Sequence, residues 1–326
     1  MTESIYIIAE AAQGYEGSAD VACILAKSAK KAGADAIKFQ VIFADDLVSE
    51  EYQHYDLFKS LEMPEESWQK ISDLCRSIGI ELILDVFGPL SADVAKNVCA
   101  DGVKIHSTCF FDDALHEFAF NNFDNIFVSI GGIEKFEVDQ FVSKIPPGNS
   151  VVFMHGYQAE PTPIEKNHLN RISTLGKSTG SQVGFMDHSD GDGCDTELLS
   201  VLALGMGVKV FEKHITLARC LEMEDYTSAL APDGFKKYVD TLKRMALSLG
   251  SADLCLADEE FEYRSKVLKR VVARRDLESG ELLSAENTRF VRSKNSQGLH
   301  QLSNAYGKKL RVSCERGQPV EENMVE

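Results

Sequence analysis

The chain has 326 residues, of which 44% are hydrophobic and 26% charged, and a formal net charge of −17. That is the composition of an ordinary globular protein, long enough for one barrel of roughly 250 residues plus a small second domain. No apolar run reaches the ~18 residues that span a bilayer, no charged-then-apolar leader is seen, and so acidic a body argues against nucleic acid as a partner; a cytoplasmic protein without membrane contact is expected.

In chain order, eight short apolar runs each close on a polar or ionisable residue, and each is followed by a helical stretch. The first, YIIAE, closes on Glu10. The second, AIKFQ, carries Lys38 and Gln40, and ELILD closes on Asp85. GVKIHS brings Lys104 and Ser107, and IFVS ends on Ser129. VVFMH, QVGFMDH and VKVFEKH end on His155, His188 and His214. Eight β-then-α units predict a (β/α)₈ barrel, an α/β fold whose strand carboxyl ends gather at one mouth.

Between the first two strands, residues 18–32 set Val21, Ile24 and Leu25 on one expected helical face. Residues 44–62 are long, aromatic and acidic, the character of a lid or an oligomer contact. Further helices are predicted at about 66–77, 92–98, 112–118, 136–144, 169–179, 196–205 and 232–249. By strand alternation, His106 is expected to face outward into the helix layer, whereas His155 reads equally as a pocket residue or a backbone partner.

After Gly250 the pattern changes. Residues 253–266 read as a linker between a barrel of residues 1–252 and a β-rich domain of residues 267–326. That domain contains two related half-motifs, ARRDLESGELLSAEN and VSCERGQPVEENMV. Residues 264–326 hold 13 Lys/Arg against 8 Asp/Glu, so a basic tail follows an acidic body. This asymmetry fits either surface solubility or docking of the tail on an acidic barrel, its own or a partner's. The eight cysteines contain no CxxC pair and read as reduced thiols.

The segments IIAEAAQGYEGS, GADAIKFQ, DHSDG, VFEKHITL and DLESGELLSAEN, in that order, resemble the sialic acid synthase family over nearly the whole chain. The resemblance implies a TIM barrel followed by an antifreeze-like (SAF) domain that caps the partner's active site in a domain-exchanged homodimer. It implies a transferase that joins phosphoenolpyruvate to an aldehyde sugar, N-acetylmannosamine or a relative, releasing phosphate. A divalent metal is implied as cofactor, Mn²⁺ ahead of Mg²⁺, Co²⁺, Fe²⁺ or Zn²⁺, to polarise the aldehyde oxygen.

On that resemblance, His188 and His214 are the expected metal ligands, since neutral imidazoles suit such ions; from spacing alone they read as well as two hydrogen-bonded histidines. Lys38, Lys104, Ser107 and Ser129 are expected to bind phosphoenolpyruvate, and a lysine inside a parallel strand is costly to bury unless paired or ligand-facing. Glu10 matches an acidic residue near the attack site, although a Glu10–Lys38 structural pair is an equal reading. Gln40 and Gln158 are expected in the substrate pocket. Asp225 and Arg292 match residues that hold the sugar, Arg292 from the partner subunit.

Departures from the family pattern cluster in the pocket. The third strand reads LDVFG, which sets Asp85 where a phosphate-contacting hydroxyl is usual. Cys109 replaces a glutamate, Glu160-Pro161 a tyrosine-proline pair, and Met186 a serine; Met223-Glu224-Asp225 stands for Gly-Pro-Asp, and Ser293 for a proline after Arg292. Such changes alter substrate more readily than reaction. Two other readings therefore stay open: a barrel acting on another acid sugar by aldol or dehydration chemistry, and a catalytically silent sugar-binding subunit.

Overall fold

The computed structural model describes residues 5–326. Eight parallel strands close into a barrel in sequence order: β1 (Tyr6–Ala12), β2 (Ala36–Gln40), β3 (Glu81–Val86), β4 (Gly102–Ile105), β5 (Ile126–Ser129), β6 (Val152–His155), β7 (Gln182–Asp187) and β8 (Val210–His214). The chain divides into two compact units, one ending at Gly250 and one spanning Ser251–Glu326.

The barrel strands read as near-continuous apolar runs because both of their faces are covered. Inside the barrel, Ile8, Ala36, Ile83, Phe127, Met154, Met186 and Val210 form a compact plug. A larger cluster fills the space between the strands and the surrounding helices, with Ile7, Phe39, Phe153, Phe185 and Phe211 contributed by the outward faces. Period-two alternation therefore leaves the polar strand ends aimed at the mouth, above the plug.

The helix Ala19–Ala32 buries Ala22, Leu25, Ala26 and Ala29, while Ile24 remains 49% exposed. The expected Val21–Ile24–Leu25 face is thus rotated: small residues pack against the barrel, where close approach matters more than bulk. Within residues 44–62 lie two short helices, Ala44–Leu47 and Tyr55–Leu61.

In the second unit, β9 (Lys269–Ala273) pairs antiparallel with β10 (Thr288–Arg292). The two half-motifs meet at a bridge in which Leu277 and Cys314 exchange both backbone hydrogen bonds, at 2.8 and 2.9 Å. Each half turns at a glycine with positive φ, Gly280 at 89° and Gly317 at 85°, a conformation that glycine adopts without Cβ strain. The supposed linker contains a helix, Asp258–Val267. Its first turn holds Asp258, Glu259 and Glu260 and its last Arg264 and Lys266, the charge order that complements a helix dipole. It buries none of its residues, which is why an apolar periodicity did not reveal it.

Candidate active site

The mouth of the barrel holds a cavity of about 430 Å³ lined entirely by the first unit, including six carboxylates and two lysines. Strand register explains the grouping. Glu10 on β1 lies beside Lys38 on β2 and His214 on β8, while Asp85 on β3 lies beside Gln40 on β2 and Lys104 on β4. A bulge between Glu10 and Ala12 re-aims the strand, with Ala12 at φ 47° and its N–H donating to Glu10 Oε1 at 2.5 Å.

At the floor, Lys38 is 1% exposed and pairs with Glu10, with Asp85, and with Glu212 at 3.6 Å. Lys104 Nζ donates to Glu212 Oε1 at 2.7 Å. Burial alone would strip the proton from Lys38, but the three carboxylates outweigh it and raise its affinity for the proton well above the ordinary value. Burial likewise opposes ionisation of Asp85, yet Lys38 and Lys104 hold its carboxyl below the usual range. Glu10, buried and beside Glu212 and Asp85, is pushed up to about 8 in spite of Lys38.

Nearer the opening, Glu160, His188 and His214 converge, with one ligand atom from each lying within 4.8 Å of the others. His188 Nδ1 donates to the Tyr157 carbonyl at 3.0 Å, which leaves Nε2 as a free lone pair. Burial lowers His188 to about 4 and His214 well below 6.5, so both rings are neutral. Glu160 Oε1 stands 3.5 Å from His214 Nε2, and Asp225 Oδ2 stands 3.8 Å from His214 Nδ1. Burial and the neighbouring Asp225 push Glu160 up to about 9. Two neutral imidazoles, a carboxylate, and nearby acids that resist ionising together fit a divalent cation, which would relieve the crowded negative charge.

Gln40, Gln158 and Asp225 also line the cavity; Gln40 Oε1 accepts from Gln13 at 2.9 Å, and Asp225 adopts φ 61°. Ser107 opens the 3₁₀ turn Ser107–Cys109 and stands outside the lining set. Ser129 is fully buried, its hydroxyl 4.0 Å from the Met186 sulfur, and it too stands outside that set. Arg292 closes β10 in the second unit and is exposed.

His106 does not face the helix layer as expected. It lies two residues after the cavity-lining Lys104, with Ile105 between them packed in the outer core, so period-two alternation carries its ring back to the cavity, against Phe87 at 5.5 Å. His155 is buried away from the cavity, donating from Nε2 to the Asn167 carbonyl at 3.0 Å. Glu212 also lines the cavity; it is not a strand-end residue, but its place two residues before His214 on β8 puts both on the same face. Tyr52, Phe58 and Leu47 of residues 44–62 also line the opening, in keeping with the lid reading of that segment.

A scan of protein-family models matches residues 25–253 to the NeuB family and residues 270–326 to the SAF domain. The chain belongs to the NeuB family. It is an enzyme of the sialic acid synthase type. An uncharacterised protein of Methanocaldococcus jannaschii is 31% identical over 89% of this chain and 85% of its own. The N,N'-diacetyllegionaminic acid synthase of Legionella pneumophila is 29% identical over 96% of this chain and 92% of its own. A spore coat polysaccharide biosynthesis protein E from Chromobacterium violaceum superposes with a TM-score of 0.87 at 23% identity, covering 99% of this chain and 100% of its own, and so shares this NeuB chain's fold.

Proposed function

We propose that this NeuB-family enzyme condenses phosphoenolpyruvate with an aldehyde sugar to give a nonulosonic acid and phosphate, with a divalent metal as cofactor. The observation that carries the reading is the convergence of Glu160, His188 and His214 above a floor holding two lysines. The similarity to the N,N'-diacetyllegionaminic acid synthase of Legionella pneumophila supports the same reaction class.

In the reaction, C3 of phosphoenolpyruvate forms the new bond to the aldehyde carbon, whose oxygen takes the electron pair and then a proton. Water adds at C2, and phosphate departs. Lys104 and Lys38, with Ser107 in the turn after β4 and Ser129 at the last position of β5, are the candidates to receive the donor's anionic groups. His188, His214 and Glu160 would hold the cation, whose contribution when bound is Lewis-acid polarisation of the acceptor oxygen. Glu10, drawn up to about 8, is suited to orient or deliver a proton near neutral pH. Gln40, Gln158 and Asp225 are assigned to the sugar, together with Arg292 supplied by the partner in a domain-exchanged dimer. Cytoplasmic synthesis of a surface polysaccharide precursor completes the reading; among the described residues no helix is long and apolar enough to cross a membrane.

Incubation with phosphoenolpyruvate, Mn²⁺ and a panel of N-acetylated hexosamines should release phosphate and yield an acid three carbons longer. No phosphate release across the panel, together with no phosphoenolpyruvate binding by calorimetry, would overturn the reading.

A further inference from the structure

Lys38 has three N–H donors and three carboxylate neighbours, Glu10, Asp85 and Glu212. Its capacity to bind an incoming anion is therefore already taken up by the protein. Lys104 has one partner among the described residues, Glu212, and keeps donors to spare. At this floor the acids outnumber the lysines three to two. Asp85 is completely buried, and its second oxygen, Oδ1, has no hydrogen-bond partner among the described residues although Asp85 lines the cavity. A buried carboxylate oxygen left in this way repels an approaching anion and gains nothing from it.

We propose that Asp85 is a specificity-determining residue: its carboxylate occupies the side of Lys38 that an anionic substrate group would otherwise take, and so weakens phosphate binding at the pocket floor. The inference rests on reading this pocket as the site of an anionic donor, and it deepens that reading by assigning the donor's grip to Lys104 rather than to both lysines. Glu10 and Glu212 remain beside Lys38 when Asp85 is altered, so its ammonium stays compensated. Asp85→Asn keeps the shape and a hydrogen-bond acceptor for Lys38 while removing the charge, and Asp85→Thr removes the carboxylate altogether.

The test is a calorimetric titration of the full-length chain with inorganic phosphate, with folding checked by circular dichroism. The unaltered protein should bind phosphate no more tightly than about 1 mM. Asp85→Asn and Asp85→Thr should each bind it at least about tenfold more tightly. Adding Lys104→Met to either variant should erase the gain, which excludes binding elsewhere on the surface. Micromolar affinity in the unaltered protein, or folded variants that bind phosphate no better than it does, would overturn the proposal. Phosphoenolpyruvate turnover is scored separately. Its absence beside a gain in phosphate affinity would count against the proposed reaction and leave the role of Asp85 standing.

Discussion

Lys38 illustrates how much of a fold can rest on one buried side chain. It is buried among Glu10, Asp85 and Glu212, so Lys38→Met would strand three acids in a low-dielectric interior. A loss of about 3–5 kcal/mol is expected, read from urea denaturation, as for other buried pairs broken on one side. His188 makes a different prediction. Its depressed value near 4 means that, between about pH 6.5 and 4, the unfolded chain binds this proton and the folded chain does not. The stability it contributes is intact above pH 6.5 and is lost as the pH falls toward 4. In chelator-treated protein, His188→Asn should lessen the pH dependence of unfolding free energy within that window, the rest being left to His106, His116, His155 and His214, whose burial lowers them too; an unchanged slope would refute the assignment. Either His188→Ala or His214→Ala should also abolish tight Mn²⁺ binding measured by calorimetry, independently of any activity. The lysines and the two histidines were legible as strand-end residues. The pairing of Lys38 with Asp85 was not, because it depends on how β2 and β3 are staggered.

Among elements, the segment between β2 and the helix Glu65–Ile78 does more than cover the opening. Asp46 Oδ2 accepts from the backbone N–H groups of Leu90 and Ser91, at 2.9 and 3.1 Å, and so caps the helix Pro89–Asn97 from a distant part of the chain. Asp46→Ala should therefore cost about 1 kcal/mol in chemical denaturation, the worth of a helix cap, and it should loosen residues 44–62 in hydrogen exchange. Gly88, which precedes that helix, has no side chain of its own to serve as a cap. The helix Asp258–Val267 marks the limit of periodicity as a guide. Its charge order was present in the sequence, but without a buried face there was no 3.6-residue apolar repeat to detect. His106 shows a different limit: alternation counted from the cavity-lining Lys104 places it on the cavity face, and only the outward expectation was wrong.

For the whole molecule, the proposed dimer makes the most demanding prediction. His214→Ala removes a barrel function and Arg292→Ala a capping function. If each cap serves the partner's barrel, mixing the two inactive variants under exchange conditions should restore activity, because one site per heterodimer is then intact. If each cap serves its own barrel, no intact site can form and the mixture stays inactive. The alternation of apolar strands and helices, the polar strand ends and the paired half-motifs around Gly280 and Gly317 were determined by the sequence alone, because backbone periodicity and turn chemistry are local properties. Which of those strand ends share one cavity was decided only by closure of the barrel. Closure brings β8 against β1 and sets Glu212, 108 residues away in the chain, beside Lys104. The stagger of β2 against β3 converts Asp85 from an anomaly in a motif into the partner of Lys38, since the meaning of a buried charge is set by the neighbours that desolvation forces it to find.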